Sequence, residues 1–146
     1  MKGPTSKLRK FSRLTSADQW LLVRAALWLG VARTLLATMS FDQLSKHLAV
    51  EPGKTVIQPD REYVDRVGYA VRAAAGAVPW RADCFPQTIA ARMLLKRKGY
   101  SSTIHLGVEK AGGGNIAGHA WITCEGRVVT GGEELDRYTE MHRINA

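Results

Sequence analysis

The sequence predicts an α+β fold, with a helical N-terminal half packed on a small antiparallel sheet. Apolar residues recur at helical spacing as far as about residue 78. The period then changes to two, with Ile104, Leu106 and Val108 alternating with His105, Gly107 and Glu109. Short apolar stretches follow, punctuated by Glu125-Gly126 and Gly131-Gly132. At 146 residues, 45% hydrophobic and 23% charged, the chain is long enough to bury one core and too apolar for wholesale disorder. Residues 1–14 read as a basic tail and residues 15–146 as a single domain, helical over 15–78 with a core over 79–146.

The elements follow in order. Ser16 stands three residues before Gln19, a capping-box spacing, and predicts a helix to about Met39. Ser40 and Gln43 repeat the spacing and start a short helix that ends near Val50, before a turn at Glu51-Pro52-Gly53-Lys54. A third helix begins after Asp60 and runs to about Val78, with Tyr63, Val64, Val67, Ala70, Val71 and Ala74 on one stripe. Residues 79–83 form a loop, and Asp83 is a suitable cap for a helix from Cys84 to Lys98, closed by Gly99. Pro86 falls in its first turn, where a missing N–H costs little. The strand at 104–109 should turn His105 to the surface. A glycine-rich loop at 111–115 leads to a strand over Ala117 to Cys124, a returning strand over Arg127 to Thr130, and an edge strand over Arg137 to Ile144.

Lys and Arg outnumber Asp and Glu by 21 to 13, a formal net charge of +8. The excess is split between the first thirteen residues and a cluster at Arg92, Lys96, Arg97 and Lys98. Solvated faces are the ordinary reading, an acidic peptide or protein partner comes next, and no nucleic-acid partner is expected. The longest apolar stretch, Trp20 to Met39, contains Arg24 and Arg33, so no transmembrane segment is expected. Nothing at the start has a signal-peptide pattern, which points to the cytoplasm and to two free thiols at Cys84 and Cys124.

Cys84 is the candidate nucleophile. A thiolate at a helix start is stabilised by unpaired backbone N–H groups and the positive helix end, and the same groups can hold the oxyanion of a tetrahedral intermediate. His119 opens the run Gly118-His119-Ala120-Trp121 on a downstream strand and is the candidate base. A helix-start cysteine facing a strand histidine is the papain-type arrangement. No spacing of His, Cys, Asp or Glu has the form of a zinc site, and the glycines at 112–114 lack the Lys-Ser/Thr of a phosphate loop.

These residues carry a family resemblance. Cys84-Phe85-Pro86-Gln87, Leu94-Leu95-x-Arg97-x-Gly99, Leu106-Gly107-Val108, Gly118-His119-Ala120-Trp121, Gly126-Arg127-Val128-Val129-Thr130-Gly131-Gly132 and Arg137-Tyr138-Thr139 resemble the transglutaminase-like leader peptidases of lasso-peptide biosynthesis. The likeness is to the stand-alone form, without a fused leader-recognition domain. It implies a transglutaminase-like core and a cysteine endopeptidase that removes the leader from a ribosomally made precursor. Its expected partners are the precursor peptide, a small leader-recognition protein and an ATP-dependent lasso cyclase, with neither metal nor cofactor in the cleavage step. It also implies Cys84 as nucleophile and His119 as base.

Related triads carry an Asp on the returning strand, where this chain has Gly131. Glu133 is the nearest acid and the candidate third member, with Glu134, Asp136 or a main-chain carbonyl as substitutes. Two other readings stand beside this one: a transglutaminase-like amidase or acyltransferase, and a non-catalytic basic module binding peptide or RNA.

Overall fold

The structure, a computed structural model, describes residues 9–50, 57–109 and 116–146; the predicted turn at 51–54 and the glycine loop at 111–115 lie outside the described residues. The elements run α1 (Ser16–Thr38), α2 (Phe41–Leu48), α3 (Arg61–Ala75), α4 (Cys84–Lys96), β1 (Thr103–Glu109), β2 (Gly118–Cys124), β3 (Arg127–Thr130), a 3-10 turn at Leu135–Arg137, and β4 (Tyr138–Asn145). The strands form one antiparallel sheet in the order β3-β2-β1-β4. The α+β class read from the periodicities is the class observed.

Local chemistry sets each helix. The cap of α1 is Thr15, one residue earlier than predicted, with its hydroxyl accepting from the Asp18 N–H at 3.2 Å. The Asp18 carboxylate accepts in turn from the Thr15 hydroxyl and from Arg66 on α3, each at 2.7 Å, and these bonds hold its carboxyl below the usual range. Gln19 is thereby free of the cap and donates to the carbonyls of Phe11 and Leu14, tying residues 11–14 of the expected tail to α1. The capping box of Ser40 and Gln43 forms as predicted. Asp60 caps α3 through the Glu62 N–H at 3.0 Å; the helix stops at Ala75, three residues short of the expectation, at Gly76. α4 stops at Lys96, and Gly99 closes the turn with φ +76°.

Helices α1, α3 and α4 pack on one another, and α4 lies across β2 and β3. The core between them holds Leu29, Val67, Val71, Ile89, Leu94, Leu95, Ile104 and Ile122, all fully buried. α1 is long and apolar enough, by length and composition alone, to cross a membrane. Here its Leu21–Ala25–Leu29–Ala32 face enters the core, which leaves a second apolar face outside: Trp20 is 63% and Leu27 64% exposed, and Val23 and Val31 are exposed too.

His105 departs from its predicted surface position. It is buried, its Nε2 lies 2.9 Å from Thr123 Oγ1, its Nδ1 lies 3.2 Å from a Glu140 carboxylate oxygen, and its ring stacks on Trp121 at 5.1 Å. The alternation along β1 gave its face correctly. What alternation does not reveal is that the neighbouring strands supply Trp121 and Glu140 to cover that face.

α3 meets β3 closely. Arg72 Nη1 donates to the Val129 carbonyl at 2.7 Å, and a Cβ at Gly68 would stand 2.5 Å from the same oxygen. Gly68→Ala must push α3 off the sheet and should cost about 1–3 kcal/mol in denaturant unfolding. Gly118→Ala, where a Cβ meets nothing within 4 Å, should be close to neutral.

Candidate active site

α4 begins at the residue that carries the thiol. Asp83 occupies the cap position, yet its side chain makes no cap hydrogen bond; its carboxylate pairs with Arg81 at 3.1 Å instead. The predicted Asp83 cap is therefore positional only. The consequence is chemical: the N–H groups of Cys84 and Phe85 are left unengaged by that carboxylate, and Pro86 supplies no N–H. The first intrahelical bond runs from the Gln87 N–H to the Asp83 carbonyl at 3.2 Å, while the Gln87 side chain donates to the Ala82 carbonyl at 2.8 Å and fixes the entering loop. Cys84 itself is half-buried and free.

β2 is antiparallel to β1, with Gly118 and His119 opposite Val108 and Gly107. His119 is the second residue of β2, half-buried, on positions that alternate with the core-facing Ile122 and Cys124. No hydrogen bond joins its ring to the Cys84 thiol among the described residues.

The ring of His119 is instead held on three sides. Its Nε2 lies 2.8 Å from the Gly131 carbonyl oxygen. The Tyr138 ring stacks on it at 4.4 Å and 21°, and Trp121 lies beyond at 6.1 Å. A carbonyl only accepts, so Nε2 carries the proton and the lone pair of the neutral imidazole is on Nδ1. That is the tautomer a base needs.

Gly131 fits this post for a backbone reason. Its φ is +77°, and a Cβ there would fall on the Ala120 carbonyl oxygen and within 2.9 Å of Trp121. The chain turns sharply against β2, and its carbonyl is delivered to the histidine. Glu133 lies two residues further on, exposed, with no hydrogen bond or ion pair among the described residues. Glu134 is paired with Arg137, which also bridges to Glu109, and Asp136 is exposed. Tyr138 was not singled out from the sequence as a site residue. The only available signal was that an edge strand beginning at 137 or 138 would lie near the start of β2.

The remaining candidates separate cleanly. Cys124 is buried, bonds the Ser101 carbonyl at 3.3 Å, and has its thiol pushed up by burial and by Glu125. Trp80 packs on Gly30 of α1 and not beside His119. His142 stands edge-on to Phe41.

Residues 26–143 match the family model described as the transglutaminase-like superfamily. The chain belongs to that superfamily. No curated protein and no solved structure matches it. The superfamily is mostly enzymatic, with cysteine protease and acyl-transfer members, and the α+β architecture here is consistent with its core.

The tautomer can be read directly. At a pH where the imidazole is neutral, long-range proton–nitrogen correlation spectra should show His119 protonated at Nε2. Gly131→Ala, which must displace the carbonyl, should convert this into a mixture of tautomers; an Nδ1–H form in the unsubstituted protein would contradict the geometry.

Proposed function

We propose that this chain is a cysteine endopeptidase that removes the leader from a ribosomally made lasso-peptide precursor, working in the cytoplasm with a separate leader-binding protein. The observation that supports it best is that a chain of the transglutaminase-like superfamily carries both a cysteine-initiated helix without a side-chain cap and a strand histidine whose Nε2 is held by main chain. The motif likeness around Cys84, His119 and Gly131 narrows the class of substrate.

In this reading Cys84 Sγ gives its proton to His119 Nδ1 and attacks the scissile carbonyl. The oxyanion is held by N–H groups of the first turn of α4. The intermediate collapses, the C–N bond breaks, and the departing amine takes the proton from His119. Water, deprotonated by the same nitrogen, then cleaves the thioester and restores the thiol. Bound peptide is needed to bring Nδ1 onto Sγ, since catalytic bonds of this kind tighten in the substrate complex. The Gly131 carbonyl orients the ring, with Tyr138 stacked against it.

Cys84→Ala should abolish leader removal in a peptide-release assay and leave unfolding unchanged. Cys124→Ala should keep turnover and lose roughly 1–2 kcal/mol of stability. Residual cleavage by the Cys84→Ala protein would overturn the assignment. Glu133→Gln separates the two orienters: turnover close to normal leaves the carbonyl in the role, whereas a loss on the order of 10- to 1000-fold in kcat with KM unchanged gives it to Glu133.

The exposed face of α1, Trp20, Val23, Leu27 and Val31, supports a docking role toward the leader-binding protein. Adding that protein should accelerate cleavage by raising the effective concentration of precursor. The double change Trp20→Ser with Leu27→Ser should remove most of that acceleration and spare the basal rate.

A further inference from the structure

The far end of α4 carries a second feature that peptide cleavage does not use. A cavity of about 370 Å³ opens there, its lining including Arg92, Lys96, Arg97, Tyr100, Ser101 and Ala146. That is within the range of small-molecule sites, ~300–1,000 Å³. Arg92 is the unusual member. It is only 3% exposed, and its single hydrogen bond runs from Nε to the carbonyl of Leu48, the last residue of α2, at 3.3 Å. No carboxylate lies within ion-pair distance of it among the described residues. Burial lowers its pKa to about 10, which keeps it cationic at neutral pH. Its two terminal nitrogens have no protein partner among the described residues and are not sealed from solvent, so the guanidinium that lines the cavity is open to it.

The neighbouring cations have no acidic partners either. Lys96 and Arg97 form no ion pair among the described residues, and the Lys98 ammonium lies over the Tyr63 ring at 5.1 Å. Cations in a last helical turn ordinarily serve its free carbonyls. Here those are already taken: Leu95 accepts from the Lys98 and Tyr100 N–H groups, Lys96 from Gly99, and Met93 from Arg97. Ala146, the last residue, brings a carboxylate to the lining; one of its oxygens is held by the Ser102 N–H at 2.6 Å, and it forms no ion pair among the described residues. What remains is a concave surface lined by a guanidinium fork without a protein partner among the described residues and by the cations of Lys96 and Arg97, in excess over the single carboxylate of Ala146. That surplus favours a multiply charged tetrahedral oxyanion over a single carboxylate.

We propose that this cavity is a phosphoryl-binding site, with Arg92 and Lys96 gripping the anion and Arg97 closing its outer side. Along α4, at a rise of about 1.5 Å per residue, Arg92 lies about 12 Å and Lys96 about 18 Å from Cys84, so the cavity is distinct from the peptidase centre.

Calorimetric titration of the full chain with inorganic phosphate, with AMP and with acetate tests it. Phosphate and AMP should bind saturably, acetate far more weakly, and the affinity should fall with added salt. AMP binding more tightly than phosphate identifies an organic phosphate as the occupant, and equal binding identifies the free ion. Arg92→Gln should weaken binding tenfold or more. Because Arg92 is buried, the surface pair Lys96→Ala with Arg97→Ala provides an independent reading and should also weaken it. Absence of saturable binding, equal affinity in the double variant, or acetate binding as tightly as phosphate would each overturn the proposal. Cleavage activity does not enter the readout, so failure of the peptidase reading leaves this result standing.

Discussion

The burial of α4 is the constraint on which the rest of the chain depends. Ile89, Ala90, Ala91, Leu94 and Leu95 are fully buried, with α1 and α3 on one side and β2 and β3 on the other. At about 25 cal/mol per Å² of apolar surface removed from water, a buried Leu or Ile contributes roughly 1.5–3 kcal/mol, so this helix anchors a large part of the core. A helix fixed along its whole length also fixes both of its ends. One end presents a thiol beside free N–H groups, and the other presents a buried guanidinium.

Much of this fold was legible in the sequence because it is built from strong local signals. The Ser40–Gln43 box, the Asp60 cap, the stripe along α3, the period-two strands and the Glu125-Gly126 turn all agree with the tertiary structure. The misreadings share a cause. Thr15, not Ser16, caps α1 because Asp18 can serve both Thr15 and Arg66, a partner 48 residues away. Asp83 fails to cap α4 because Arg81 competes for its carboxylate. His105 is buried because Glu140 and Trp121 arrive from other strands. Each error is a local rule overridden by a contact that spacing alone does not contain.

The site shows the same division. The two side chains proposed to carry its chemistry, Cys84 and His119, stand out by residue type and by position in their elements. The acceptor on Nε2 does not, since a search among side chains finds only Glu133, Glu134 and Asp136. The group on Nε2 is a peptide carbonyl, and the sequence records it as a glycine. The left-handed φ of Gly131 and its contact with Ala120 are physical reasons for a residue without a Cβ at that position. At the position where the resemblance leads one to expect an Asp, the glycine brings a backbone that reaches the ring.

A main-chain acceptor has properties that a carboxylate lacks. It has no protonation equilibrium in the working pH range, so it adds no ionisation of its own to the behaviour of the imidazole. It carries no net charge, so it sets the direction of the ring without drawing a proton onto it as an anion would. It is also written in no side chain, so truncating the side chains around the ring leaves it in place; only a change that moves the backbone itself, as a Cβ at Gly131 must, can reach it.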